Sequence, residues 1–210
     1  RYERSIEIAN KALAICDEID LPGERLGLLY NLGVCYLQLE QYEHATRTIL
    51  KALEIAQQIE DERGLGFCPS ALGEIYRREG RYEDALEKCL EALAVEERLK
   101  IDDELVDTLS CMGLIYLGME QSEYALEFSE RAVSILEGLE NFSATYEIYF
   151  AHAKILHGLG ESEQASQYLN RAHAELQHLA NTITDLETQR SFLQHVPINR
   201  EIVAAWKAFS

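Results

Sequence analysis

Five cysteines, six histidines and a large excess of carboxylates are the residues of this 210-residue chain that have chemistry to offer. Cys16, Cys35, Cys68, Cys89 and Cys111 are odd in number, form no CxxC pair and stand among apolar neighbours. That pattern points to reduced thiols used as small core residues, not to disulfides or zinc ligands. His152 and His157 are five apart, as are His173 and His178, whereas two helical metal ligands need a spacing of four. The histidines are therefore expected on the surface or in a groove. The acidic pairs Glu96-Glu97 and Asp102-Asp103 are expected at turns or on solvated faces, and pairing among so many carboxylates has no weight by itself. Gly64-Leu65-Gly66 has no strand before it and no lysine at phosphate-loop spacing. No nucleophile and base stand at a usable spacing. The expectation is no catalytic residue, no metal, no cofactor and no enzyme activity.

Nineteen basic against 37 acidic residues give a net charge of -18, a surface that repels phosphate backbones and anionic lipid. Neither a nucleic acid nor a membrane is expected as a partner. No apolar run approaches the roughly 18–20 residues needed to span a bilayer. The chain opens as an amphipathic stretch, RYERSIEIANK, without Met and already inside a pattern. It reads as a piece of a longer, cytoplasmic protein without a signal peptide. Hydrophobic residues make up 47% of the chain, and three prolines and twelve glycines punctuate it sparsely. Long helices around a sizeable core are the expected result.

The elements that would position these residues repeat. Leu32-Gly33-Val34-Cys35-Tyr36, Leu72-Gly73-Glu74-Ile75-Tyr76 and Met112-Gly113-Leu114-Ile115-Tyr116 are 40 residues apart, and His152-Ala153-Lys154-Ile155-Leu156 keeps the step. Ser5, Ala45, Ala85, Ala125 and Ala165 form a second series, and Ala12, Ala52, Ala92, Ala132 and Ala172 a third. Each unit is two helices. Leu29, Leu32, Gly33 and Tyr36 share one face of the first, and Ala45, Ile49, Ala52 and Ala56 one face of the second. Short polar breaks at Glu40-Gln41, Gly80-Arg81, Glu120-Gln121 and Gly160-Glu161 force antiparallel hairpins. Gly33 and Ala45 belong where the two helices of a hairpin approach closely, and Tyr36, Tyr76 and Tyr116 where one hairpin meets the next.

This pattern resembles the tetratricopeptide repeat (TPR) family over residues 1 to about 180. The resemblance implies an all-α, right-handed α-α superhelix of antiparallel hairpins. The unit here is 40 residues, against about 34 in the family. Leu29, Pro69 and Leu109 stand where the family has a bulky aromatic, which returns as Tyr149. Pro69 predicts that its helix starts within about three residues of it. The map is a half unit at 1–20, units at 25–60, 65–100, 105–140 and 145–181, and capping helices at 184–210, in which Phe192, Leu193, Ile202, Val203 and Trp206 cover the end. The stretch from Arg190 to Ile202 resembles the tail that closes such arrays in large bacterial signalling proteins, which implies a regulatory C-terminal region.

In this reading the first helix of every unit lines an inner groove. Tyr30, Asn31, Val34 and Leu37 are its candidates in the first unit, and Phe67, Glu74, Arg77 and Arg78 in the second. Leu114 and Leu117 stand in the third, Phe150, Lys154 and His157 in the fourth. The apolar members would anchor an extended peptide or amphipathic helix, Asn31 would bond its backbone, and Arg77, Arg78 and Lys154 would pair with its carboxylates. The competing reading packs these residues shut against the neighbouring helix. The expected function is a protein- or peptide-binding scaffold, with a peptide sensor and a homodimerisation module as alternatives.

Overall fold

The computed structural model describes residues 2–139, 142 and 145–209. Among these, the helices in chain order are α1 (Tyr2–Ile19), α2 (Pro22–Gln38), α3 (Tyr42–Gln58), α4 (Gly64–Arg78), α5 (Tyr82–Leu99), α6 (Asp102–Gly118), α7 (Ser122–Leu136), α8 (Thr145–Gly158), α9 (Ser162–Asn181), α10 (Leu186–His195) and α11 (Pro197–Phe209). No strand occurs among the described residues. The fold is all-α, built from antiparallel hairpins. Two compact units divide it: residues up to Cys111, and residues from Met112 onward.

Helices α1 to α6 and α8 end by a shared device. Asp20, Glu40, Glu60, Gly80, Lys100, Glu120 and Gly160 all have positive φ, at steps of 20 residues or a multiple of 20. The following residue then donates to the carbonyl five positions back, as in Gln41 N to Tyr36 O (2.9 Å), Asp61 N to Ala56 O (2.9 Å), Arg81 N to Tyr76 O (2.9 Å) and Ile101 N to Glu96 O (3.0 Å). A left-handed residue with this bond closes the last turn and satisfies otherwise orphaned carbonyls. Only two of these positions carry glycine, so the other residues bear a left-handed backbone that costs an L-residue about 1–2 kcal/mol.

In the first unit the core runs through Leu26, Leu29, Ile49, Ala52, Leu72 and Ile75. Ile49 and Leu72 are fully buried, worth about 2 kcal/mol each. The register glycines make the hairpins close. A Cβ added at Gly33 would lie 2.6 Å from Ile49 Cγ1, and one at Gly73 would collide with Cys89 Sγ. The second unit repeats the arrangement: a Cβ at Gly113 would lie 3.2 Å from both Ala125 O and Ser129 Cβ. Its last helices are tied down by local bonds. Asp185 caps α10 by accepting from Thr188 N at 2.8 Å, Ile202 of α11 is fully buried, and Trp206 stacks on His173 of α9 at 4.0 Å and donates to Asn170 at 2.9 Å.

Three placements differ from the sequence expectation. Helix α4 starts at Gly64, five residues before Pro69. Its first turn is held by Asp61, whose Oδ1 accepts from Arg63 N (3.1 Å) and Gly64 N (3.2 Å), so the proline's missing amide is borne in the second turn. Contacts within the hairpin are added at the register tyrosines, with no departure from expectation: Tyr36 faces His44, Arg81 lies over Tyr76, and Tyr116 stacks on Phe128. Glu96 is fully buried where a solvated face was expected, and His152 is buried where surface or groove was expected.

Candidate functional site

In the first unit, α2 and α4 present the expected surface only in part. The Tyr30 and Phe67 rings meet edge-on with centroids 4.5 Å apart and pack partly buried against the core. Asn31 is exposed and Val34 half-buried. Burial, then the Asp107 carboxylate, push the Tyr30 phenol well above its ordinary pKa, so it stays a neutral hydrogen-bonding group. Leu37 is 5% exposed and belongs to the core, so its side chain is not available to a ligand.

The cations of α4 are already engaged. Arg77 makes a bidentate pair with Glu74 at 2.7 and 2.8 Å, and Arg78 reaches the same carboxylate at 2.6 Å. Burial alone would raise the Glu74 pKa, but the two guanidiniums outweigh it and hold the carboxyl at about 2. The Cys111 thiol also donates to Glu74, at 3.4 Å, while Cys89 Sγ lies 3.7 Å from Cys111 Sγ. Arg77 and Arg78 thus form a closed internal cluster.

In the second unit, Leu114 and Leu117 are half-buried. Leu117 fills the space beside Gly158, where an added Cβ would lie 2.9 Å from Leu117 Cδ1. Phe150 is 5% exposed, a core residue. Lys154 is exposed, lies over the Phe150 ring at 5.5 Å and faces Glu201 of α11 at 3.7 Å. His157 is exposed.

A pair that spacing did not reveal is Ser129–His152, with His152 Nδ1 2.9 Å from Ser129 Oγ. It has the composition of a nucleophile and base but not the proton arrangement. Ser129 donates its hydroxyl to Leu126 O at 3.1 Å, which leaves the serine oxygen as acceptor. Burial, then the nearby Arg171, lower the His152 pKa to about 4, and the imidazole lies edge-on to Tyr168 at 4.5 Å. The pair is an internal hydrogen bond. Among the described residues, no three His, Cys, Asp or Glu gather into a group that could hold a metal ion, and no helix is long and apolar enough to cross a membrane.

The sequence profile of the MalT-like TPR region matches residues 1–198, nearly the whole chain. The chain belongs to the MalT-like TPR region family. No curated relative matches it. Among solved structures, this MalT-like TPR region is similar to NprR in complex with its cognate peptide NprX (TM-score 0.71, 21% identity, covering 100% of this chain and 59% of that one). It is also similar to aspartyl phosphate phosphatase F from Bacillus subtilis (TM-score 0.69, 21% identity, 97% and 54% covered). A third is BtubC from P. vanneervenii (TM-score 0.66, 18% identity, 88% and 76% covered). At these identities the likeness is one of fold. The chain spans little more than half the length of the first two.

Proposed function

We propose that this MalT-like TPR region is a protein- or peptide-binding scaffold, a non-catalytic and regulatory part of a larger cytoplasmic signalling protein of bacterial type. The observation that carries the reading is the surface of α2 and α4: the edge-on Tyr30–Phe67 pair beside half-buried Val34 and exposed Asn31. Rigid aromatic area next to an amide that can bond a peptide backbone is the make-up of a peptide-docking face. In the second unit, half-buried Leu114 and Leu117 and exposed Lys154 and His157 offer a further face of mixed character. Leu37 and Phe150 contribute as core, and Arg77 and Arg78 shape the surface through Glu74. The net charge of -18 favours a neutral or basic partner segment over nucleic acid or anionic lipid.

The test is capture from a lysate of the source cell with the wild-type chain and with an Asn31→Ala, Val34→Glu variant whose helicity is unchanged by circular dichroism. A polypeptide held by the first and lost by the second supports the reading. Equal retention by both overturns the α2–α4 surface. The complex of NprR with NprX, on a similar fold, favours a short peptide as the occupant. A sensor of that kind shows a thermal shift on adding the captured peptide, whereas a doubled mass at micromolar concentration without any partner points to self-assembly.

A further inference from the structure

Glu96 breaks the repeat in the first unit. Its counterparts at steps of 40 are Cys16, Ala56, Leu136 and Leu176, all apolar and all buried. Glu96 is as buried as they are, at 0% exposure. One further polar residue meets it, and a second meets that one. Thr108, whose counterparts are Leu28, Cys68 and Ile148, donates to Glu96 Oε1 at 2.9 Å. Ser70 of α4 lies 2.8 Å from the Thr108 hydroxyl. Among the described residues, Glu96 Oε2 has no hydrogen-bond partner. A carboxylate fully removed from water, with one oxygen unpaired, is costly, and the neutral carboxylic acid in the same place costs much less.

Among the described residues, no cation is paired with Glu96. From α6, Asp103, Glu104 and Asp107 face this corner, and Asp61 and Glu62 come from the turn before α4. Arg63 is held by Glu104 at 2.6 Å and Asp103 at 3.7 Å, and Arg98 of α5 by Glu62 at 2.8 Å. Cys68 of α4 and Tyr30 of α2, both neutral, complete the ring of titratable groups. The Glu96 side chain lies against the first turn of α4, where a Cβ added at Gly66 would be 3.6 Å from Glu96 Cγ. Next to Gly66 is Leu65, whose carbonyl has no amide to receive at position 69 because that residue is proline.

We propose that Glu96, Thr108 and Ser70 form a proton-operated joint: α4, α5 and the α6 turns up to Cys111 close on a protonated Glu96, and loss of that proton loosens them. Burial, acting with Glu104 and Asp103 and against the Thr108 bond, pushes the Glu96 pKa from 4.5 up to about 7. A raised carboxyl pKa in the folded state favours the fold fully below about 4.5. That contribution is lost as the pH rises through about 7. Because α4 also carries Phe67, the joint acts on the candidate docking face.

Hydrogen–deuterium exchange of the whole chain tests this, with wild type and Glu96→Gln compared at the same pH so that intrinsic exchange rates cancel. At about pH 8 the wild-type segments 64–72 and 102–111 are expected to exchange at least about fivefold faster than in the variant, and at about pH 5 equally. Equal rates in the two proteins at both pH values overturn the joint. Glu96→Leu, which restores the residue type of positions 136 and 176, serves as a second variant should the glutamine protein not fold. Compared with wild type at about pH 8, slower exchange of the same segments in Glu96→Leu supports the proposal, and exchange as fast as wild type there refutes it.

Discussion

Replacing Glu74 with Gln tests whether the α4 cluster is an internal ion cluster or a pair of surface bonds. The side chains of Glu74, Arg77 and Arg78 are 25%, 20% and 21% exposed. The fall of the Glu74 pKa from 4.5 to about 2 corresponds to about 3 kcal/mol at roughly 1.4 kcal/mol per pKa unit. Partial exposure screens that figure, and about 2 kcal/mol is the expected loss for Glu74→Gln near neutral pH. In urea, with a slope of about 2 kcal/mol/M, the midpoint followed by circular dichroism drops by about 1 M with the slope unchanged. The pH dependence has a definite sign. A depressed carboxyl pKa contributes stability that is fully present above about 4.5 and lost as the pH falls through about 2, so wild type and variant converge in acid. A triple variant, Glu74→Leu, Arg77→Met, Arg78→Met, leaves no unpaired charge and is expected to recover much of the loss. A change below about 0.5 kcal/mol for Glu74→Gln, or no convergence in acid, refutes the reasoning and returns Arg77 and Arg78 to the list of available cations.

Gly33→Ala drives a Cβ into the Ile49 side chain, 2.6 Å from Cγ1, and is expected to cost about 1–3 kcal/mol in the same urea assay. Lys100→Gly removes a left-handed non-glycine residue with φ of 58°. It is expected to raise stability by about 0.5–1 kcal/mol, the released strain less the added chain entropy of glycine. Of the five thiols, Cys16, Cys68, Cys89 and Cys111 are buried and Cys35 is partly exposed. Burial, chiefly, pushes the Cys68 thiol up to about 12. A thiol titration with a disulfide reagent at neutral pH should therefore read at most about one group quickly in the native state and all five in denaturant.

The hairpins were legible because one period constrains both composition and backbone. Gly33 and Ala45 predicted the close approach that Ile49 now fills, and the polar breaks marked the helix ends. The left-handed residues at 60 and 100 were less visible, since Glu and Lys carry no signature of positive φ. The candidate surface was legible only in part. A helical face is about 100° wide, so register separates Val34 from Leu32 but not a half-buried residue from its buried neighbour, and Leu37 and Phe150 fell on the wrong side of that margin. Arg77 and Arg78 were read as free cations because charge was counted along the chain. Their partner, Glu74, is three and four residues away on the same helix, a spacing that in retrospect predicts the cluster.

Two polar intrusions into the apolar register show what the repeat tolerates and at what cost. Ser129 stands where other units have Ile49, Cys89 and Leu169, and His152 where they have Leu32, Leu72 and Met112. Each satisfies the other at 2.9 Å, and the serine hydroxyl is further bonded to Leu126 O. The pair therefore replaces apolar packing with a closed hydrogen-bonded contact that has little reason to respond to pH above the His152 pKa of about 4. Glu96 and Thr108 are also a paired intrusion, but their account does not close: among the described residues one carboxyl oxygen has no partner, and Arg63 and Arg98 are engaged by other carboxylates. A satisfied network stiffens a core, whereas a buried carboxyl with no countercharge can be switched by supplying or withdrawing its proton. The difference between the two sites lies in that one oxygen, which is why Glu96→Gln, changing little but the ability to ionise, separates a joint from a mere core substitution.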